Sequence, residues 1–172
     1  MELVTGGAGF IGSHLVDTLV AQGKRVRVFD NFSSGREDFL AHHQDSGMVE
    51  IVKGDLLDFD SLNSALECVE TVHHLAANPD IRLGTEVTDT DLRQGTDATY
   101  NVLEAMRNSG VKRISFSSSS AIYGEANVMP TPETYGPVKP ISLYGASKLA
   151  SEALITARCG TCLLYTSPSP RD

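Results

Sequence analysis

Short apolar runs alternate along this chain with longer stretches whose apolar residues recur every three or four positions. The runs have the length and β-branched content of strands. The longer stretches have the period of a helix with one buried face. Strands are predicted over residues 3–5, 25–30, 48–52, 71–75 and 111–118. Helices are predicted over 9–21, stopped by Gln22-Gly23, over 58–69, and over 89–109, stopped by Gly110. In the last of these, Leu92, Thr99, Val102, Leu103 and Met106 form one near-continuous face. A further helix is predicted over 141–158. It follows a loop holding Pro130, Pro132, Pro137 and Pro140, too long for a simple connection and therefore expected to carry function. Strand–helix alternation of this kind predicts an α/β fold with a parallel sheet covered on both faces.

Composition narrows the partners. The 172 residues suffice for one domain with its own core. The net charge of −8, with no basic block, argues against nucleic acid or an anionic membrane as the main partner. There is no apolar run long enough to span a bilayer. The opening residues run straight into glycines without the basic region of a secretory signal, so a cytoplasmic location is expected. Cys68, Cys159 and Cys162 do not make a disulfide framework. His73 and His74 fall in one strand and face opposite ways, which is poor geometry for a shared metal. His42-His43 has no partnering Cys or acid cluster in the sequence, and surface exposure is expected there. No metal site is expected.

The first strand-to-helix turn, Thr5-Gly6-Gly7-Ala8-Gly9-Phe10-Ile11-Gly12, fits both G-x-x-G-x-x-G and G-x-G-x-x-G. Glycines at Gly6, Gly9 and Gly12 let the backbone turn sharply and approach a pyrophosphate, whose charge then faces a helix N-terminus. A glycine pattern alone could be just a tight turn. Here a strand precedes it, a helix follows, and Asp30 closes the second strand at dinucleotide-site spacing. Asp30 can accept both ribose hydroxyls of an adenosine, and its charge would repel a 2′-phosphate, which favours NAD over NADP. Arg36 lies nearby and is read as a solvated surface charge. Asp55, at the end of the third strand, is placed to accept from an adenine amino group or to cap the helix that follows.

Tyr144 and Lys148 are one helical turn apart and share a face. A tyrosine with a pKa of about 10 needs about three units, or roughly 4 kcal/mol, to act as a base at neutral pH. A lysine cation about 4 Å away supplies a few kcal/mol of that at an effective dielectric near 20. The pair can therefore make a proton acceptor for an alcohol. On its own, the same spacing is more often a core-edge Tyr and a solvated Lys.

Taken together, residues 5–12, 30–35, 54–56, 74–77, 101–105, 116–124 and 144–148 resemble the extended short-chain dehydrogenase/reductase family. The likeness is to its NAD-dependent epimerase/dehydratase group and, within that, to UDP-glucose 4-epimerase-like members. The resemblance implies a Rossmann-type doubly wound sheet and assigns roles to matching positions. Phe10 and Ile11 line the pyrophosphate turn. Asp30, Asn31, Ser33 and Gly35 surround the adenosine ribose, and Asp55 and Leu56 hold adenine. Leu75, Ala76 and Ala77 run beneath the cofactor. Ser119 is the family's catalytic Ser/Thr and Tyr144 its base. Lys148 lowers the base's pKa and binds the nicotinamide ribose. The implied reaction is C4 oxidation and re-reduction of a nucleotide-sugar, UDP-linked, on a tightly held NAD, in a homodimer. The family's 4,6-dehydratases carry Asp-Glu after the catalytic residue, and its sugar-acid decarboxylases a Glu where Ala121 stands. Ser120 and Ala121 here favour simple epimerisation or oxidoreduction. Many relatives have Asn where Gly95 stands, which removes one cofactor-side hydrogen bond. A non-catalytic NAD-binding sensor or scaffold on the same fold is the alternative class. Retention of Ser119, Tyr144 and Lys148 argues against it.

The resemblance ends after Ala157. Residues 1–158 are expected to be an incomplete NAD-binding domain, truncated before the last strand and the substrate-binding region. Residues 159–172 are expected to be a tail foreign to the family. Cys162 to Asp172 reads as an in-frame translation of a sequencing adapter, so the C-x-x-C of Cys159 and Cys162 is given no function. An inactive amino-terminal fragment is the expectation.

Overall fold

A computed structural model describes residues 1–80 and 82–161. Residues 162–172, which include Cys162 and most of the tail expected to be foreign, lie outside the described residues. Five strands, β1 (Glu2–Thr5), β2 (Val26–Asp30), β3 (Val49–Lys53), β4 (Thr71–His74) and β5 (Arg113–Phe116), form one sheet in the order β3-β2-β1-β4-β5. Every pairing is parallel, and Thr5 pairs with both Phe29 and His74, so these strand ends sit level. The chain winds outward from β1 to β3, then returns to the other side through β4. This is the doubly wound Rossmann arrangement, and it opens a crevice at the carboxyl ends of β1 and β4.

Strand alternation fills two cores. Leu3 and Phe29 point to one, with Leu62, Val72, Val102 and Met106. Val4 and Val28 point to the other, with Val16, Leu19 and Leu40. The first is covered by α2 (Phe59–Ala65), α4 (Ala98–Ser109) and α5 (Leu143–Gly160), the second by α1 (Phe10–Ala21). Each fully buried Val or Leu contributes about 1.5–3 kcal/mol over an exposed one, so the two layers hold the sheet rigid beneath the crevice. No helix among the described residues is long and apolar enough to cross a membrane.

Several elements are shorter than their patterns predict. The predicted helix 58–69 contracts to α2, with Asp58 as its cap accepting from the Ser61 N–H at 3.3 Å. The predicted strand 111–118 contracts to β5. The predicted helix 89–109 is not regular, because Leu92–Asp97 forms a π-helical turn ahead of α4. Gly95 lies in that turn, and a Cβ there would stand 2.5 Å from Ser147 Oγ, so only glycine lets the turn press on α5. The extra residue shifts the helical phase. Leu92 is therefore 53% exposed instead of joining the buried face, while Asp91 is buried. A short α3 (Leu83–Glu86) and single-turn 3₁₀ segments at Glu37–Phe39, Ala41–His43 and Ser120–Tyr123 also lack a sequence signal.

Candidate functional site

The crevice is a cleft of about 300 Å³ running from Asp30 to Lys148. Its floor is the glycine turn. Gly6 has φ +69°, and a Cβ at Gly12 would lie 2.2 Å from the Gly6 carbonyl oxygen. Those contacts hold strand and helix so close that backbone alone faces the cleft. Gly9, Phe10 and Ile11 complete the lining there, with both apolar side chains exposed.

Asp30 organises the end of the cleft opposite Lys148. Its Oδ2 accepts from the Ala8 N–H at 2.9 Å and its Oδ1 from the Phe32 N–H at 2.8 Å. The second bond holds Phe32 at φ +57° and aims Asn31, Ser33 and Gly35 into the cleft. A Cβ at Gly35 would press on Ala8 at 2.8 Å, and the Arg36 N–H donates to the Ala8 carbonyl at 2.9 Å. The Asn31–Gly35 loop and the glycine turn are thus clipped together. Arg36 points outward and pairs with Asp38 at 2.9 Å, as a surface charge should.

At the far end, Lys148 is 3% exposed and donates from Nζ to the Ser117 carbonyl at 2.7 Å. Its Nζ sits 4.7 Å from the Phe116 ring centre and 5.8 Å from that of Tyr144. Burial pulls the Lys148 pKa down from 10.5 to about 8, so the amine is still mostly charged at neutral pH. Leu75, Ala76 and Ala77 line the wall between the two ends.

Behind that wall runs a buried polar chain with no sequence signal beyond its residue types. Thr5 Oγ1 meets His74 Nδ1 at 2.7 Å, and His74 Nε2 meets Thr99 Oγ1 at 3.1 Å. Thr99 gives its hydroxyl hydrogen to the Gly95 carbonyl at 2.7 Å, and Ser151 gives its own to the Ser147 carbonyl at 2.9 Å. Thr99 is then an acceptor, which makes His74 a neutral Nε2–H tautomer accepting at Nδ1 from Thr5. Burial first, then the charge of Lys148, pushes the His74 pKa down to about 3, in keeping with that neutral form.

Two predicted residues are not in the lining. Asp55 turns away, accepting from the Leu57 N–H at 2.9 Å and from Asn31 Nδ2 at 3.2 Å, while Gly54 and Leu56 beside it face the cleft. Ser119 caps the 3₁₀ turn Ser120–Tyr123, accepting from the Ala121 N–H at 3.2 Å. That turn packs on the start of α5, where a Cβ at Gly145 would stand 2.6 Å from the Ala121 carbonyl oxygen. Asn78, Pro79, Gln94 and Ser117 do line the cleft but escaped the sequence reading. Asn78-Pro79 directly follows Ala77, which could have signalled it.

The residues fit NAD: a glycine floor that a Cβ would fill, an acid at one end, a buried cation at the other. Comparison with known proteins agrees. The model of the NAD dependent epimerase/dehydratase family matches residues 2–166. A UDP-glucose 4-epimerase of Mycolicibacterium smegmatis is 38% identical over 155 residues, covering 89% of this chain and 49% of that protein. A solved UDP-galactose 4-epimerase is 46% identical with a TM-score of 0.83, covering 92% of this chain and 51% of the other. A dTDP-glucose 4,6-dehydratase of Streptomyces venezuelae, with NAD bound, is 30% identical with a TM-score of 0.89, covering 95% and 53%. The chain spans about half the length of these three proteins. With that cleft and these matches, the chain belongs to the NAD dependent epimerase/dehydratase family.

Proposed function

We propose that this chain is the cofactor-binding half of a cytoplasmic UDP-sugar 4-epimerase, and that activity belongs to a longer polypeptide of which it spans about half. The supporting observation is Tyr144 and Lys148 in the same cleft as the glycine turn, one helical turn apart on α5. NAD, when bound, supplies a reversible hydride acceptor for the sugar C4. The chain's own residues do the rest. The Gly6–Gly12 turn and the N-terminus of α1 hold the pyrophosphate. Asp30 accepts from the adenosine ribose, and Leu56 covers the adenine end, with Asp55 bonded behind Asn31. Lys148 donates to the other ribose and places a positive charge beside Tyr144. Tyr144 takes the proton from the sugar 4-hydroxyl and later returns it, while Ser119 hydrogen-bonds the same oxygen.

Epimerisation is preferred to dehydration because Ser120 and Ala121 put no carboxylate after Ser119 to eliminate water. The full-length enzyme is proposed to be a homodimer through the outer faces of the helices bearing Asn101 and Tyr144, where Tyr100 is half exposed. The 172-residue chain by itself is proposed to be inactive. Interconversion of UDP-glucose and UDP-galactose by the full-length enzyme tests the reading. Its absence, with NAD still bound, would favour a sensor or scaffold.

A further inference from the structure

The connection from β2 to β3 carries a cluster apart from the cleft. Its 3₁₀ turn Ala41–His43 sets two imidazoles beside the middle of α1. His42 Nε2 lies 2.8 Å, and His43 Nε2 2.6 Å, from the same Oδ1 of Asp17. Surface exposure was the expectation for both histidines, on the ground that no acid partnered them. The structure corrects this for His43, whose side chain is only 10% exposed, and it supplies the acid from a helix distant in sequence.

Among the described residues, this is the group of His, Cys, Asp and Glu whose ligand atoms could hold a metal ion, all within 4.8 Å of one another. Asp17 and His42 are 44% and 56% exposed, so the cluster has one closed wall and one open side. Burial opposes ionisation of Asp17, but the hydrogen bonds from His43 and His42 outweigh it and hold the carboxyl below its ordinary value.

We propose that Asp17, His42 and His43 form a site for a zinc-class divalent cation, with water as the fourth ligand. Two imidazole nitrogens and one carboxylate oxygen are a donor set zinc accepts, and an open side suits a water. Zinc bonds of about 2.0–2.2 Å in tetrahedral geometry set ligand atoms roughly 3.3 Å apart. The two Asp17–imidazole spacings are hydrogen-bonded contacts, shorter than that by about half an ångström on the same scale, while the three ligand atoms together lie within 4.8 Å of one another. The opening falls on the two exposed side chains, Asp17 and His42, while buried His43 stays in place. Each imidazole offers its Nε2 lone pair once its proton sits on Nδ1. None of the three residues lines the cleft. The role is therefore structural: the cation ties the connection that begins with the Asn31–Gly35 ribose loop to the helix that begins at the glycine turn.

The test uses the full 172-residue chain, stripped with a chelator and titrated with Zn²⁺ by calorimetry, with Mg²⁺ as the hard-cation control. The expected result is one-to-one Zn²⁺ binding, a raised thermal midpoint and no response to Mg²⁺. Co²⁺ should give the visible absorption of a four-coordinate ion. Asp17→Asn and His42→Ala should each weaken Zn²⁺ at least tenfold with an unchanged circular dichroism spectrum, since both side chains are half exposed. Absence of saturable binding would overturn the site. So would undiminished binding in both variants, which would assign the metal to the cysteines. A chain unfolded with and without Zn²⁺ would also count against it, because a structural metal should be linked to folding.

Discussion

Around the glycine turn the cleft presents backbone; along α5 it presents a charged side chain, Lys148, taken out of water. At Gly6 and Gly12 the useful feature is the missing Cβ, which leaves backbone facing the cleft. At Lys148 the useful feature is a cation 3% exposed, backed by the neutral His74 chain. The first end is tolerant of pH and intolerant of volume. The second tolerates apolar substitution of similar volume but responds to pH. Pyrophosphate binding needs close approach of N–H groups, which is geometric. Base activation needs a nearby positive charge, which is electrostatic.

The comparison breaks most visibly at Gly12. Gly12→Val would drive a Cβ into the Gly6 carbonyl, and overpacking against rigid backbone costs about 3 kcal/mol. Chemical denaturation should show that loss, and calorimetry should show no NAD binding at any pH. A stable Gly12→Val chain that still binds NAD would mean the turn is not close-packed.

His74 gives the next largest effect, with a definite sign. Its folded pKa of about 3 is below the unfolded value of about 6.5, so the unfolded state binds the extra proton between those limits. Stability from His74 is present above pH 6.5 and lost as pH falls towards 3, by a few kcal/mol in all. Denaturation midpoints measured from pH 7 to 4 should fall more steeply in the parent chain than in His74→Gln. Parallel curves would contradict the neutral tautomer.

Lys148 follows the same logic in the alkaline range. Its folded pKa of about 8 lies below 10.5 unfolded, so stability is flat below pH 8 and rises between 8 and 10.5. Lys148→Met removes the desolvation of a charge and should stabilise the chain by about 1–3 kcal/mol at pH 7. It should also abolish the alkaline rise and weaken NAD about tenfold, since a charge-assisted hydrogen bond is worth about 1.5–3 kcal/mol. A destabilised Met variant would mean that the Ser117 and Phe116 contacts outweigh burial. The smallest effect is expected at Asp30, where both ends of the comparison meet. Asp30→Ser keeps a polar acceptor but loses the charge. Competition binding should show NAD weakened by about 1–2 kcal/mol and its preference over NADP nearly erased.

What could be read from the sequence divides along the same line. Strand and helix alternation, the glycine turn and Asp30 follow from local pattern, because period and turn chemistry are short-range. The π-helical turn at Leu92–Asp97 was not legible, since it depends on Gly95 meeting Ser147 across two helices. Leu92 was misplaced for that reason. The Asp17 partner of His42 and His43 and the inward face of Ser117 were hidden likewise, because both require tertiary folding. Tyr144 and Lys148 were legible as a spacing. That Lys148 would be buried against Ser117 and Phe116 was not.

The central claim is that Tyr144 is the base of a C4 epimerase activated by Lys148. The direct measurement is the interconversion rate of UDP-glucose and UDP-galactose by the full-length enzyme and its Tyr144→Phe variant, with NAD binding measured on both. The account predicts retained NAD binding and a rate lowered by about 10²–10⁴-fold, the usual worth of a positioned proton acceptor. A Phe variant that epimerises at the parent rate would contradict it.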